Sequence, residues 1–276
     1  MAITTVDGLL AGLKPGQAFQ KATFTGEAAG QWHNLMAIAG NPGAVALGTP
    51  GLNGAVVTTT TLGGAWPYAN PASGNGYLAR LAVSVGANLI GFRVYDLLWY
   101  NTGIAITTTT AQAITSPTWP ARCVPASGST PDTLGGRMQV WLWASATCGN
   151  AAVANTTFAY TDELGNAGRS AGLVYSFPAT ALIGTMVPFG LQGDDTGIRS
   201  IQSITLGTSY VSGTVNMLLT RTIADVYFPV ATAGGVYDFA DLGMPQLYDS
   251  SALYMGVLLS GTAAGITCGS AAYAHG

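Results

Sequence analysis

The sequence predicts an all-β protein: an antiparallel β-sandwich of jelly-roll type, preceded by an extended N-terminal arm that contains one or two short helices. Three observations carry that expectation. From residue 77 onward, short runs rich in Val, Ile, Thr, Tyr and Trp are bounded by Gly, Pro, Asn or Asp. No helix-period segment separates those runs, so alternating βαβ units do not fit. Hydrophobic residues make up 49% of the 276 positions and charged residues 8%. That balance suits a large core with little charged exterior.

Residues 1–75 read as the arm. Val6 to Lys14 forms a short helical turn, stopped by Pro15-Gly16. Gln31 to Gly40 reads as a second helix. Trp32, Leu35, Met36 and Ala39 fall at i, i+3, i+4 and i+7, and Gly40 with Pro42 marks the end. Asn41 to Asn75 is rich in Gly, Pro, Ala, Thr and Asn and reads as extended chain with one strand at Ala55–Thr60. Irregular segments this long are uncommon inside compact domains, so the arm is expected to lie on something else.

Residues 76–276 read as the sandwich with a C-terminal tail. Strands are expected at Tyr77–Val85, Leu89–Asp96, Gly103–Thr110, Met138–Ala144 and Ala154–Thr161. Further strands follow at Gly172–Phe177, Met186–Leu191, Arg199–Leu206, Val215–Thr222 and Leu253–Ser260. Val140, Leu142 and Ala144 alternate with Gln139, Trp141 and Trp143, so both faces of that strand carry apolar bulk and both are expected to be covered. Thr156 to Arg169 reads as a hairpin with Phe158 and Tyr160 on one face and Gly165 in the turn. The tail from Gly269 to Gly276 has no intrinsic reason to be ordered and is expected to be pinned by neighbouring chains.

Composition excludes several partners. Net charge is −3, with two lysines and seven scattered arginines. A nucleic-acid binder needs a basic stripe to displace counterions, and none is visible. Mean hydropathy is +0.36, yet no run of about 18 apolar residues is present to cross a membrane. The N-terminus lacks the basic region and apolar core of a signal peptide, so synthesis in a cytoplasm without general export is expected. Cys123, Cys148 and Cys268 are too few and too scattered for a disulfide framework or a zinc site. They read as plain thiols, with a Cys123–Cys148 bridge left open.

No reactive constellation emerges. His275 is penultimate, and His33 sits beside Trp32 with no Ser or Cys motif. Asp162-Glu163 and Asp194-Asp195 are adjacent pairs, which on a strand point to opposite faces. Gln192 to Gly197 is a Gly-flanked turn without the spaced acidic ligands of a calcium loop. Catalytic, cofactor-binding and metal-binding residues are therefore assigned to none. The interface candidates are Trp32, Leu35 and Met36 on the second helix, and Trp99 and Tyr100 in the cluster Tyr95–Asn101. That cluster reads as core or subunit contact, with a sugar-stacking platform as the other reading.

The stretches Asp96–Ile104, Thr107–Gln112, Asn155–Thr161, Ser176–Thr180 and Arg199–Leu206 resemble segments of tailed-bacteriophage virion structural proteins. The likeness spans about residues 75–260 and is one of texture and short phrases. It implies a non-enzymatic virion component, best matched by a capsid decoration (cement) protein. Such a protein would bind the major capsid protein lattice, self-associate as a homotrimer and reside on the phage head after synthesis in the host cytoplasm. The alternative is a tail, baseplate or fibre component touching host glycans through Trp99 and Tyr100. A glycan hydrolase on the same sandwich rests on fold analogy alone.

Overall fold

A computed structural model describes residues 3–22, 28–45, 47–59, 61–123, 138–149, 152–230, 232–262 and 265–276. Its first elements are α1 (Val6–Gly12), β1 (Gln17–Ala22), β2 (Trp32–Asn34), β3 (Gly40–Asn41), β4 (Ala55–Val56), β5 (Gly76–Val85) and β6 (Leu89–Tyr100). Next come β7 (Gln112–Ala113), a 3₁₀ turn at Ala121–Cys123, β8 (Met138–Ala146), β9 (Thr157–Asp162), β10 (Arg169–Leu173), β11 (Thr185–Gly190) and β12 (Ile198–Thr205). The chain ends with β13 (Thr214–Tyr227), β14 (Gly234–Tyr237), α2 (Phe239–Leu242), β15 (Gln246–Leu247), β16 (Leu253–Leu259) and β17 (Ile266–His275). The protein is all-β, and every strand pairing among the described residues is antiparallel.

Two sheets divide the strands. The smaller runs β14-β5-β17-β1-β3, with β15 also on β5. The larger runs β2-β16-β6-β13-β8-β11-β10-β9-β12-β7, with β4 on β6. Because β2 pairs with both β16 and β11, six strands of the larger sheet close into a ring. All six contribute to one apolar cluster: Trp32, Tyr254, Tyr95, Leu218, Trp143 and Met186 come from six different strands. Outside the ring, Phe92, Val94 and Val257 pack on Leu81 and Val83 of the smaller sheet. On the other flank Val140, Leu142 and Met217 pack on Phe158 and Ile204 of β9 and β12. Val140 and Leu142 thus face one core while Trp141 and Trp143 face another, as their alternation predicted.

The hairpin at 156–169 is present: Tyr160 pairs with Arg169, and Gly165 takes φ +92° in the turn. The first helix also forms, with the Thr5 side chain accepting from the Gly8 N–H at 3.0 Å. Gly12 lets it sit on β17, since a Cβ there would lie 2.2 Å from the His275 carbonyl oxygen. The second helix does not form. Trp32 to Asn34 is a strand instead, wedged between β16 and β11. The Asn34 side-chain oxygen then accepts the Met36 N–H at 2.7 Å and turns the chain. A strand followed by a tight turn mimics the i, i+3, i+4 spacing of a helix.

The arm and the tail also differ from expectation. Residues 17–22 and 32–34 are interior strands of their own chain's sheets, and the tail is β17, the middle strand of the smaller sheet. Both ends are therefore held by this chain itself. No strand forms over residues 103–110, where Gln112 instead ties the loop by bonding the N–H and carbonyl of Ala105. Only Ala55–Val56 of the expected strand at 55–60 pairs, and Thr60 lies outside the described residues.

Lys21 marks how the first residues are anchored. Its ammonium is buried and donates to the carbonyls of Leu35 (3.2 Å), Ile38 (2.8 Å) and Gly43 (3.1 Å). Burial pushes its pKa down from 10.5 to about 8. Between those values the unfolded chain binds more protons than the folded one, so stability rises with pH in that window. We expect a gain of about 2 kcal/mol between pH 7.5 and 9.5, read by urea denaturation. Lys21→Met should flatten that slope; an equal slope in the variant would rule Lys21 out as its source.

Candidate functional site

All five interface candidates lie inside the chain. Trp32, Met36 and Tyr100 belong to the ring interior, Leu35 to the core under the smaller sheet, and Trp99 to the core facing β9 and β12. Trp99 donates its indole N–H to the Asn53 carbonyl at 3.0 Å and sits edge-on to Trp119, with ring centroids 5.8 Å apart. The proposed sugar platform is therefore corrected: β6 extends through Tyr100, and pairing with β4, β13 and β16 covers it on both edges.

One end of the ring is closed by charge. The Arg93 guanidinium lies 4.4 Å from the Trp32 ring centroid and 5.1 Å from that of Trp141, and it pairs with Asp225. The cation thus fills the aromatic box that a ligand would need. A second buried charge, Asp96, joins four segments. Its carboxylate accepts from Arg122 Nε (3.1 Å), Arg221 (3.2 Å), Ser251 Oγ (2.9 Å) and the Ala252 N–H (2.9 Å). Arg122 also donates to the carbonyls of Leu97 and Val57. Sequence reasoning missed this hub because its members are 26 to 156 residues apart. An Asp within an apolar strand is the one local signal it leaves.

The turns after β9 and β11 bring the paired carboxylates together, and Asp162, Glu163 and Asp195 are each tied by donors. Asp195 accepts from Arg169 and from the Tyr160 hydroxyl. Glu163 accepts the N–H groups of Thr196 (3.1 Å) and Gly197 (3.0 Å) and the Thr196 hydroxyl (2.9 Å). Asp162 accepts the N–H and side-chain amide of Asn166, each at 2.7 Å. The Arg169 hydrogen bond holds the Asp195 carboxyl below its ordinary value, and the Asn166 bonds lower Asp162 against the opposing effect of burial. A general acid needs the opposite shift, and a calcium ion would have to compete with these donors. Cys123 and Cys148 are buried free thiols, pushed up to about 12 and about 11 by burial, and Cys268 is free at the surface of β17.

A cleft of about 620 Å³ opens beside the end of β17, lined among others by Lys14, Gln17, Trp66, Tyr68, Tyr273 and His275. Burial and then Asp249 push the Tyr68 hydroxyl up to about 12. Burial and then the Lys14 charge hold the His275 imidazole below its ordinary value. The lining pairs that imidazole with neither a carboxylate nor a serine or cysteine.

No family model matches the chain, and no curated protein matches it. Among solved structures it is similar to the infectious bursal disease virus VP2 subviral particle, at 9% identity and a TM-score of 0.21, over 95% of this chain and 81% of that one. It is also similar to T=1 particles derived from infectious bursal virus, at 10% identity and a TM-score of 0.20, over 96% and 79%. A third overlay, on the Gx strain of infectious bursal disease virus, has 11% identity and a TM-score of 0.18, over 95% and 81%. At such TM-scores these overlays carry no argument about fold or role.

Proposed function

We propose that this chain is a non-enzymatic structural protein of a virion, of the capsid decoration type, which binds the major capsid protein lattice of a phage head. The observation that carries the reading is the emptiness of its exterior. Of 21 charged side chains, Lys21, Arg93, Asp96, Arg122, Asp162 and Glu163 are buried. Set against an accessible surface of 10986 Å², the other fifteen amount to one charge per ~700 Å², sparser than solubility alone favours. Such a surface suits a protein whose neighbours cover it. The resemblance of residues 75–260 to phage virion proteins supports the same reading and implies three copies about a local axis. With residues 1–75 folded into the chain's own sheets, docking would use the folded body rather than a free arm.

The test is co-sedimentation of purified protein with expanded, undecorated phage capsids. Saturable binding at a fixed copy number per capsomer is expected, together with slower shell disruption in denaturant. A protein that leaves such shells untouched and locates to the tail by particle imaging would replace this reading with the tail alternative.

A further inference from the structure

We propose that the cleft beside the end of β17 binds an acidic sugar, a pyranose ring that carries a carboxylate. Such binding is a second property of the chain, separate from any contact with a capsid lattice. Three segments supply most of the lining. Residues 14–17 follow α1 and are tied down where the Lys14 N–H donates to the Tyr273 carbonyl at 2.8 Å. Residues 65–69 are tied down where the Trp66 N–H donates to the Leu253 carbonyl at 2.7 Å. The third is the end of β17, which brings Tyr273 and His275.

Trp66 and Tyr273 are buried and make the floor. Trp66 sits edge-on to Phe19, with ring centroids 4.7 Å apart, so the core holds it in place. Tyr68 is edge-on to Tyr273 at 5.2 Å and to His275 at 6.3 Å. Gly76 permits that placement, because a Cβ there would collide with the Tyr68 hydroxyl. A cleft built from rings packed on one another needs little reordering to receive a ligand. Its volume of about 620 Å³ lies within the range of small-ligand clefts, roughly 300–1,000 Å³. Flat aromatic groups suit the apolar CH face of a pyranose, and a few polar groups around them fix its hydroxyls. Gln17 and Thr59 supply such groups. The Trp66 indole N–H and the Tyr273 hydroxyl are buried with no hydrogen-bond partner among the described residues. The floor residues thus hold unused donors, which suits a ligand rich in acceptors.

Charge narrows the ligand to an acid. Lys14 and His275 are the basic side chains of the cleft, and among the described residues no carboxylate side chain lines it. Asp249 acts on the Tyr68 hydroxyl from outside the lining. Gly276, next to His275, is paired with Asn75 through two backbone hydrogen bonds. The Lys14 charge reaches the imidazole and disfavours its protonation. A carboxylate seated between the two offsets that repulsion and draws on both groups. The Ala69 backbone accepts from one ring nitrogen of His275, which orients the ring and leaves the other nitrogen for the ligand.

Isothermal titration calorimetry with methyl glucuronide tests this, with methyl glucoside as the neutral sugar and acetate as the bare anion. The glucuronide is expected to bind saturably and at least tenfold more tightly than either control. Lys14→Met, at an exposed position, should reduce its affinity to that of the glucoside with an unchanged melting temperature. Ala69→Trp, which fills the cleft from its exposed rim, should abolish binding. If that variant fails to fold, Lys14→Glu, which sets a carboxylate at the rim, should abolish binding instead. A glucuronide that shows no saturable binding up to about 20 mM overturns the proposal. Equal affinity for the glucoside or for acetate overturns the choice of an acidic sugar. Glucuronide binding that the Lys14 and Ala69 variants leave intact overturns the assignment to this cleft.

Discussion

Asp96→Ala should lower the stability of the protein by about 3–5 kcal/mol in urea denaturation. The carboxylate is fully buried, and its five hydrogen bonds come from Arg122, Arg221, Ser251 and Ala252. Removing it strands the Arg122 guanidinium, which is itself buried, beside the half-buried Arg221. An uncompensated charge in that setting costs far more than the ion pair contributes, because desolvation is no longer offset. The loss also propagates. Asp96 sits on β6 opposite Arg221 of β13 and Leu253 of β16, and Arg122 ties the 3₁₀ turn to the Leu97 and Val57 carbonyls. Asp96→Asn should cost nearly as much, since its amide turns a donor toward donors. A loss below 1 kcal/mol in both variants would mean that the hub contributes no net stability.

Trp143→Ala should cost about 3–5 kcal/mol, by the removal of an indole from the filled ring. Trp143 is buried between Asn216 of β13 and Met186 of β11, and it shares the ring interior with Trp32, Trp141 and Tyr254. The six strands are fixed by backbone pairing, so the interior has little freedom to collapse into the space left behind. Its neighbour two residues earlier offers a contrast. Trp141 donates its indole N–H to Thr220 Oγ1 at 2.9 Å, whereas the Trp143 N–H has no hydrogen-bond partner among the described residues. Trp141→Phe should therefore be the more damaging of the two Phe replacements, by about 1 kcal/mol. Equal losses in both Phe variants, by thermal or urea melts, would show that packing alone sets the cost.

Most strands from residue 76 onward were legible because their signal is local. Alternation at 138–144, the Gly165 turn and the β-branched runs at 199–206 and 215–222 each predict a strand that forms. What was illegible is of two kinds. Gln17–Ala22 and Ile266–His275 are built largely from small or polar residues, which leave no hydrophobic period to read. They become strands because each completes the other's backbone hydrogen bonds, Gln17 opposite Ala271. Trp32, Leu35 and Met36 carried the opposite error. Their spacing suited a helix face open to a partner, yet a strand and an Asn34 turn send all three inward.

The amino-acid order alone determined that this chain folds as antiparallel β-structure, buries a large aromatic core and carries very few charges, since propensity, alternation and composition act over a few residues. Tertiary structure alone decided that the two ends pair with each other, that six strands close into a ring, and that Asp96, Lys21 and Arg93 take their charges inside. Those outcomes depend on which distant backbone groups and carbonyls come within hydrogen-bond reach, and that is fixed by chain topology rather than by any neighbouring residue.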